Sequence, residues 1–465
     1  MAETPPDFLG RIRSALGAPG PLVLLGNFEV EDQWAREQPG LPRLSSAGSR
    51  AVVNRMDEFA LLLGDAGDTV VLKAAPDPDY LAYLHELELP VPRVLACGTQ
   101  DAQQTVTEDA LADPRLVDEL RLLAAGGARL WPHGVSAVEE KLAEATGLPL
   151  GAPDARLCIR VNSKIYSRRI GDELGLRQPT GWACETLDEL EKVAGPVADL
   201  LAAGRRFAVK DALGVSGRGI TLVDNVRRFE RLCRMILARE RRAGCSRADV
   251  VVEEWVAKET DLNYQVTVGR DGAVHLDFVK EAITEGGIHK GHRIPARLSR
   301  AQAGELAEVA AAVGARLHRD GYFGVAGIDA MIDPDGRLYP LVEINARNNM
   351  STYQVGLQER LISPDAIALA RHYPLRLHRP VAFHRLRSVL GELRFERRSG
   401  VGFLVNNFAT MNAAAPSPGD DRDEAAHPTF DGRLYGMVIG RSADEVAELD
   451  RRVGERVAEL VGGAA

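Results

Sequence analysis

Residues 321–354, GYFGVAGIDAMIDPDGRLYPLVEINARNNMSTYQ, carry the pattern that most narrows the fold. Asp333-Pro334-Asp335-Gly336 is a turn, with the glycine supplying the positive φ that hairpins need. The apolar arms on either side make the segment a β-hairpin. The first arm carries Asp329, and the second carries Glu343, Asn345 and Arg347 in strict alternation. A side-chain period of two puts those last three on one face of a strand. Closure at the turn brings Asp329 and Glu343 near each other. Carboxylates among Leu341, Val342 and Ile344 are costly unless paired or bound to metal. Two carboxylates and an amide oxygen are hard donors, suited to Mg²⁺ and the phosphates it carries. Arg347 can then hold a further anionic oxygen. The alternative is a half-buried hairpin with a solvated polar face.

The chain has 465 residues, enough for about three domains. Its 45% hydrophobic and 26% charged content is that of a globular protein with a sizeable core. The net charge of -9, without a Lys/Arg block, argues against nucleic acid as the main partner. No apolar run reaches membrane-spanning length, and MAETPPDFLG has no signal-peptide pattern. Cys97, Cys158, Cys184, Cys233 and Cys245 form no CxxC pair and no His/Cys cluster. They are expected to be reduced thiols in a cytoplasmic protein.

Apolar runs at 21–26, 69–73 and 93–97, with a helix at 78–87, predict a small open parallel sheet. No G-x-G-x-x-G follows the first strand, so a dinucleotide site is not supported. The polar run from Gly26 to Trp34 either lines a crevice at the strand end or is a surface loop. After a helix at 136–146 and a linker at 148–153, residues 160–176 read as one basic helix carrying Lys164. A helix at 187–203 precedes a strand, 206–210, ending in Lys210. The Gly-rich stretch from Leu213 to Gly219 follows, with Gly214, Ser216, Gly217 and Gly219, and then a strand at 220–223. Glycines let backbone N–H groups approach phosphates closely. This is not a P-loop, because the G-x-x-x-x-G-K-[ST] order is absent; a mobile turn is the plainer alternative.

Phe229 to Arg242 is a basic helix, and 250–256 a strand ending in Glu253, Glu254, Trp255 and Val256. Strands at 261–268 and 274–280 include Asp261 and Lys280, and a long helix capped by Ser299 leads to the hairpin. The Gly-containing segment 284–292 is expected to be a loop, either a substrate lid or a plain connection. In the tail, a run at 401–407, a strand at 433–440 and a final helix flank a low-complexity segment, 413–428, expected to be a flexible loop.

The order of these parts resembles the ATP-grasp superfamily over residues 157–375, and the N-terminal α/β block resembles the pre-ATP-grasp domain its members carry. The resemblance implies an α/β (α+β) protein: an ATP-grasp fold preceded by a small open-sheet pre-ATP-grasp domain and followed by a C-terminal extension. The expected division is 1–153, 154–377 and 378–465. It implies that Lys164 and Lys210 hold the α- and β-phosphates of ATP and that the Gly214–Gly219 backbone covers the β- and γ-phosphates. Glu253, Glu254, Trp255 and Val256 would line the adenine, with the Glu254 carbonyl and Val256 N–H on the base edge, and Asp261 would lie near the ribose. Asp329, Glu343 and Asn345 would bind two Mg²⁺ ions, with Mn²⁺ as a substitute, and Arg347 would stabilise the transferring phosphoryl group. Lys280 would reach the γ-phosphate. Asp329 departs from the glutamate that many members have there.

A narrower similarity, on Gly26-Asn27-Phe28-Glu29 and on Asn345 to Ser351, is to the pheganomycin-type peptide ligases. It implies an ATP-dependent carboxylate–amine ligase of natural-product biosynthesis that forms an amide through an acyl phosphate. Its partners would be a small-molecule carboxylate and an amine or peptide; a homodimer is admissible. The alternatives are an ATP-dependent carboxylase, a small-molecule kinase, or a non-catalytic ATP-binding protein on the same fold.

Overall fold

The computed structural model describes residues 7–36, 47–214, 219–242, 244–285, 288–416 and 429–462. Four short parallel strands come first: β1 (Leu22–Leu25), β2 (Thr69–Leu72), β3 (Arg93–Ala96) and β4 (Arg129–Pro132), in the order β3-β2-β1-β4. All four residues of β1 are buried, as a strand covered on both faces requires. The chain steps from β1 to β3 in one direction and then returns to put β4 on the other side of β1. The crevice between the carboxyl ends of β1 and β4 is therefore a topological switch point.

A second sheet holds β5 (Gly181–Thr186), β6 (Phe207–Asp211), β7 (Ile220–Val223) and β8 (Arg247–Glu254) in the antiparallel order β5-β8-β6-β7. The helices Leu187–Ala202 and Val226–Arg242 cover it through a core that includes Leu190, Phe207, Phe229 and Val250.

The third sheet has eight strands. They are β9 (Thr260–Val268), β10 (Val274–Glu285), β11 (Ile288–Ile294), β12 (Gly324–Ile332), β13 (Leu338–Asn345), β14 (Ile367–Leu377), β15 (Gly402–Asn407) and β16 (Phe430–Gly440), in the order β13-β12-β9-β10-β11-β14-β16-β15. The helix Arg300–Arg319 buries Leu306, Val309, Val313 and Leu317 against β9, β10 and β13. Its Ser299 cap closes a capping box with Gln302. The sheet runs on past residue 377, because β14 pairs with β16 and β16 with β15. Among the described residues, no helix is long and apolar enough to cross a membrane.

The predicted hairpin is β12–β13. Asp333 Oδ1 accepts from the N–H groups of Asp335 (3.0 Å) and Arg337 (2.9 Å), and Gly336 takes φ 78°. The single helix expected over 160–176 is instead two, Ala155–Val161 and Lys164–Glu173. Asn162 and Ser163 break it: Asn162 Nδ2 donates back to the Cys158 carbonyl (2.7 Å), and the Ser163 hydroxyl accepts from Ile165 N–H (3.2 Å). The loop expected at 284–292 is mostly strand. β11 pairs with β10, and Gly291 pairs with Arg371 of β14, where a Cβ would come within 2.0 Å of the Ala370 carbonyl oxygen. Strand β5 was not anticipated. Of the low-complexity segment, residues 417–428 lie outside the described residues.

Candidate functional site

Strand pairing sets four polar residues in one row across the large sheet. Glu343 is opposite Asp329, Asp329 opposite Asn263, and Asn263 opposite Lys280. Directly paired residues share a face, so the row is fixed by backbone register before any side chain is considered. Asp329 accepts from Asn263 Nδ2 (2.9 Å) and from Asn345 Nδ2 (3.1 Å). Enclosure by protein, and then the charge of Glu343, push its carboxyl up to about 6. A buried acid raised in this way beside a second carboxylate calls for a cation. Lys164 supplies one, its Nζ donating to Glu343 Oε1 at 2.6 Å.

The donor set also fits Mg²⁺. Among the described residues, no group of three or more His, Cys, Asp and Glu is placed to hold a metal; the set here is two carboxylates with amides beside them. Asn263 Oδ1 is buried without a hydrogen-bond partner, one more hard oxygen next to Asp329. Asn345 turns its Oδ1 toward Arg347 Nη2 (3.0 Å), so it must rotate its amide to give that oxygen to a metal.

Lys164 is the first residue of its helix, and its Nζ also donates to the Gly214 carbonyl at 3.1 Å. It therefore ties the foot of the Gly-rich stretch to the acid row. Gly219 closes that stretch with φ 81°; Ser216 and Gly217 lie outside the described residues. Lys210, near the end of β6, pairs with Glu253 of β8, and Arg168 Nη1 stands 3.7 Å from the other Glu253 oxygen. Lys164, Arg168, Lys210, Glu253 and Glu343 line one cleft with Gln178, Pro179, Val251, Leu341 and Val342. Arg168 and Asn263 were not singled out in the sequence. Arg168 lies one helical turn from Lys164, a spacing that could have flagged it.

The end of β8 is placed differently from expectation. The strand stops at Glu254, so Trp255 and Val256 follow it. The Glu254 side chain pairs with Arg205, and the N–H groups of Glu254 and Trp255 are spent on the carbonyls of Thr180 and Arg206, both at 2.7 Å. Asp261 accepts from Lys258 Nζ (2.5 Å) and Thr284 Oγ1 (2.6 Å). Lys280 shares the acid row but is fully buried. Its Nζ donates to the Ser351 carbonyl (3.1 Å) and Gln354 Oε1 (3.2 Å), and burial pushes its pKa well below the lysine range.

Arg347 meets the carboxyl end of the small sheet. Its Nε donates to Glu31 Oε1 at 2.8 Å, and its Nη2 donates to the same oxygen. Glu31 stands on the short helix Val30–Arg36 that follows β1. The turn between is pinned by Asn27, whose Nδ2 donates to the Gly134 carbonyl (2.8 Å) and whose Oδ1 accepts from His133 N–H (2.9 Å). His133 Nδ1 lies 2.7 Å from the Tyr353 hydroxyl, and its buried ring stays below the usual histidine range. The polar run after β1 thus lines a crevice, with Glu31 as the residue that touches the site.

Comparison with known proteins matches the Pre ATP-grasp domain over residues 56–148 and the Carbamoyl-phosphate synthase L chain, ATP binding domain, over residues 168–353. A curated relative, the butirosin acyl-carrier protein–L-glutamate ligase of Niallia circulans, is 28% identical over 325 residues, 70% of this chain and 71% of the relative. Among solved structures, the L-amino acid ligase from Bacillus licheniformis aligns at TM-score 0.51 and 17% identity, covering 94% of this chain and 98% of that one. N5-carboxyaminoimidazole synthase from Aspergillus clavatus, with ADP and its ribonucleotide, aligns at TM-score 0.52 and 14% identity, covering 94% and 99%.

Proposed function

We propose that this chain, an ATP-grasp protein with a pre-ATP-grasp domain ahead of its nucleotide-binding part, is a ligase that joins a carboxylate to an amine through an acyl phosphate. The observation that carries the proposal is the acid row beside two phosphate-side lysines: Asp329 and Glu343 face each other, with Lys164 on Glu343 and Lys210 in the same cleft. Phosphoryl transfer asks a protein for positioning and charge neutralisation, which these groups supply.

In this proposal Lys164 and Lys210 leave their carboxylate partners for the phosphates of ATP, and the Gly214–Gly219 backbone covers them. Glu253, the Glu254 carbonyl, Trp255 and the Val256 N–H line the adenine, and Asp261 lies by the ribose. Asp329, Glu343 and Asn345 would hold Mg²⁺, as two ions, which would supply charge neutralisation for the phosphates. Arg347 meets the carboxylate as it takes the γ-phosphoryl group. The amine then attacks the acyl carbon, phosphate leaves, and the products are an amide, ADP and phosphate. Lys280, fully buried, supports the floor behind the acids.

The curated relative is named for L-glutamate, and we extend an amino-acid carboxylate to this chain as its acid substrate. The test is an ADP-release screen over acid and amine pairs with mass detection of the coupled product. A product lighter by one water than the sum of its substrates supports the proposal. ATP binding with no turnover across the panel contradicts it.

A further inference from the structure

The fork of Arg347 is already filled by a carboxylate, that of Glu31, which comes from the end of the small parallel sheet, whereas Arg347 follows β13 of the large one. Both groups keep some contact with solvent, 11% for the arginine side chain and 20% for the glutamate. The glutamate is held in place from behind. Trp34 Nε1 donates to the Val135 carbonyl (2.8 Å) and Asn27 bridges to Gly134 (2.8 Å), so its helix is fastened to the end of β4. Arg347 is fastened in turn by the Asn348 carbonyl (3.0 Å). Two opposite charges are therefore fixed side by side at the edge of the acid row.

We propose that Glu31 is a specificity-determining residue that selects an acid substrate with a free α-ammonium group. This rests on the ligase reading above. A zwitterion replaces the Arg347–Glu31 pair with two pairs of its own, its carboxylate on Arg347 and its ammonium on Glu31. An acid without the ammonium, or with the nitrogen acylated, takes Arg347 and leaves the Glu31 carboxylate unpaired in a partly buried site. Stranding one member of a desolvated ion pair is costly, and a site built around a polar group rejects analogues that lack it.

The experiment compares each standard L-amino acid with its Nα-acetyl derivative, using ATP, Mg²⁺ and hydroxylamine as the amine, and reads ADP release and hydroxamate. With wild-type protein the free amino acid is preferred over its acetyl form by at least about tenfold in kcat/KM. Glu31→Gln loses most of that preference, chiefly through a higher KM for the free amino acid. Glu31→Asp, which keeps the charge, retains part of it, and unchanged thermal unfolding and ATP affinity show that both variants are folded. Equal use of free and acetylated acids by wild type, or an undiminished preference in Glu31→Gln, overturns the inference alone. No ADP with any acid overturns it together with the ligase reading.

Discussion

Lys164 Nζ lies 2.6 Å from Glu343 Oε1, and the two residues are 179 positions apart in the chain. One is the first residue of a helix and the other stands on the second strand of the hairpin, so this contact fastens the foot of the Gly-rich stretch to the acid row. Each group compensates the other's charge. Glu343→Ala leaves the lysine without its carboxylate and, on the proposed assignment, removes a metal donor. ATP-dependent phosphate release should fall by about 10²–10³-fold or more, as when charge stabilisation is removed from a transition state. A Glu343→Ala protein with near-wild-type turnover would remove the metal assignment.

Lys210 is held by Glu253 in the same cleft. Lys210→Ala should weaken ATP binding by about tenfold to a hundredfold, the worth of one charge-assisted contact. Isothermal titration with ATP and Mg²⁺ measures it. An unchanged affinity would place the phosphates elsewhere.

Glu29 is buried, and neither carboxylate oxygen has a hydrogen-bond partner. Desolvation pushes its pKa up from 4.5 to about 8. The folded pKa is raised, so the associated stability is fully present below about pH 4.5 and is lost as pH rises through about 8. Glu29→Gln does not titrate. Its stability relative to wild type should therefore rise between pH 5 and pH 8.5, by on the order of a few kcal/mol. Thermal unfolding at both pH values tests this; a pH-independent difference between the proteins would count against it.

His133 and Tyr353 join the small sheet to the segment after the hairpin, with 2.7 Å between ring nitrogen and hydroxyl, both residues buried. Tyr353→Phe keeps the ring packing and orphans one buried polar atom, at a cost of about 1–3 kcal/mol. Chemical denaturation should show a lower midpoint with an unchanged slope. A variant as stable as wild type would mean the hydrogen bond contributes nothing to that junction.

Local pattern explains which parts of the site were legible in the sequence. Asp329, Glu343 and Asn345 stood out because a turn and a two-residue period fix their face without tertiary information, and the observed register pairs Asp329 with Glu343; Arg347, expected on the same strand, falls in the bend after β13, where its N–H turns back to the Asn345 carbonyl. Glu31 did not stand out as a partner of Arg347, because they lie 316 positions apart, one after β1 of the small sheet and the other after β13 of the large one. Strand β11 was hidden because its glycine-containing sequence lacks alternation and its pairing with β14 is long-range. Lys164 was read inside a helix rather than at its start, since apolar periodicity carried across Asn162-Ser163 while their side chains took the local backbone bonds.

The central claim is that the acid is activated as an acyl phosphate at the Asp329–Glu343 row. Its most direct test is the fate of ¹⁸O placed in the carboxylate of an acid substrate during turnover with ATP and an amine. Acyl-phosphate chemistry gives ADP as the nucleotide product and one ¹⁸O atom per turnover in the released phosphate. Unlabelled phosphate, or label recovered in AMP, would contradict it.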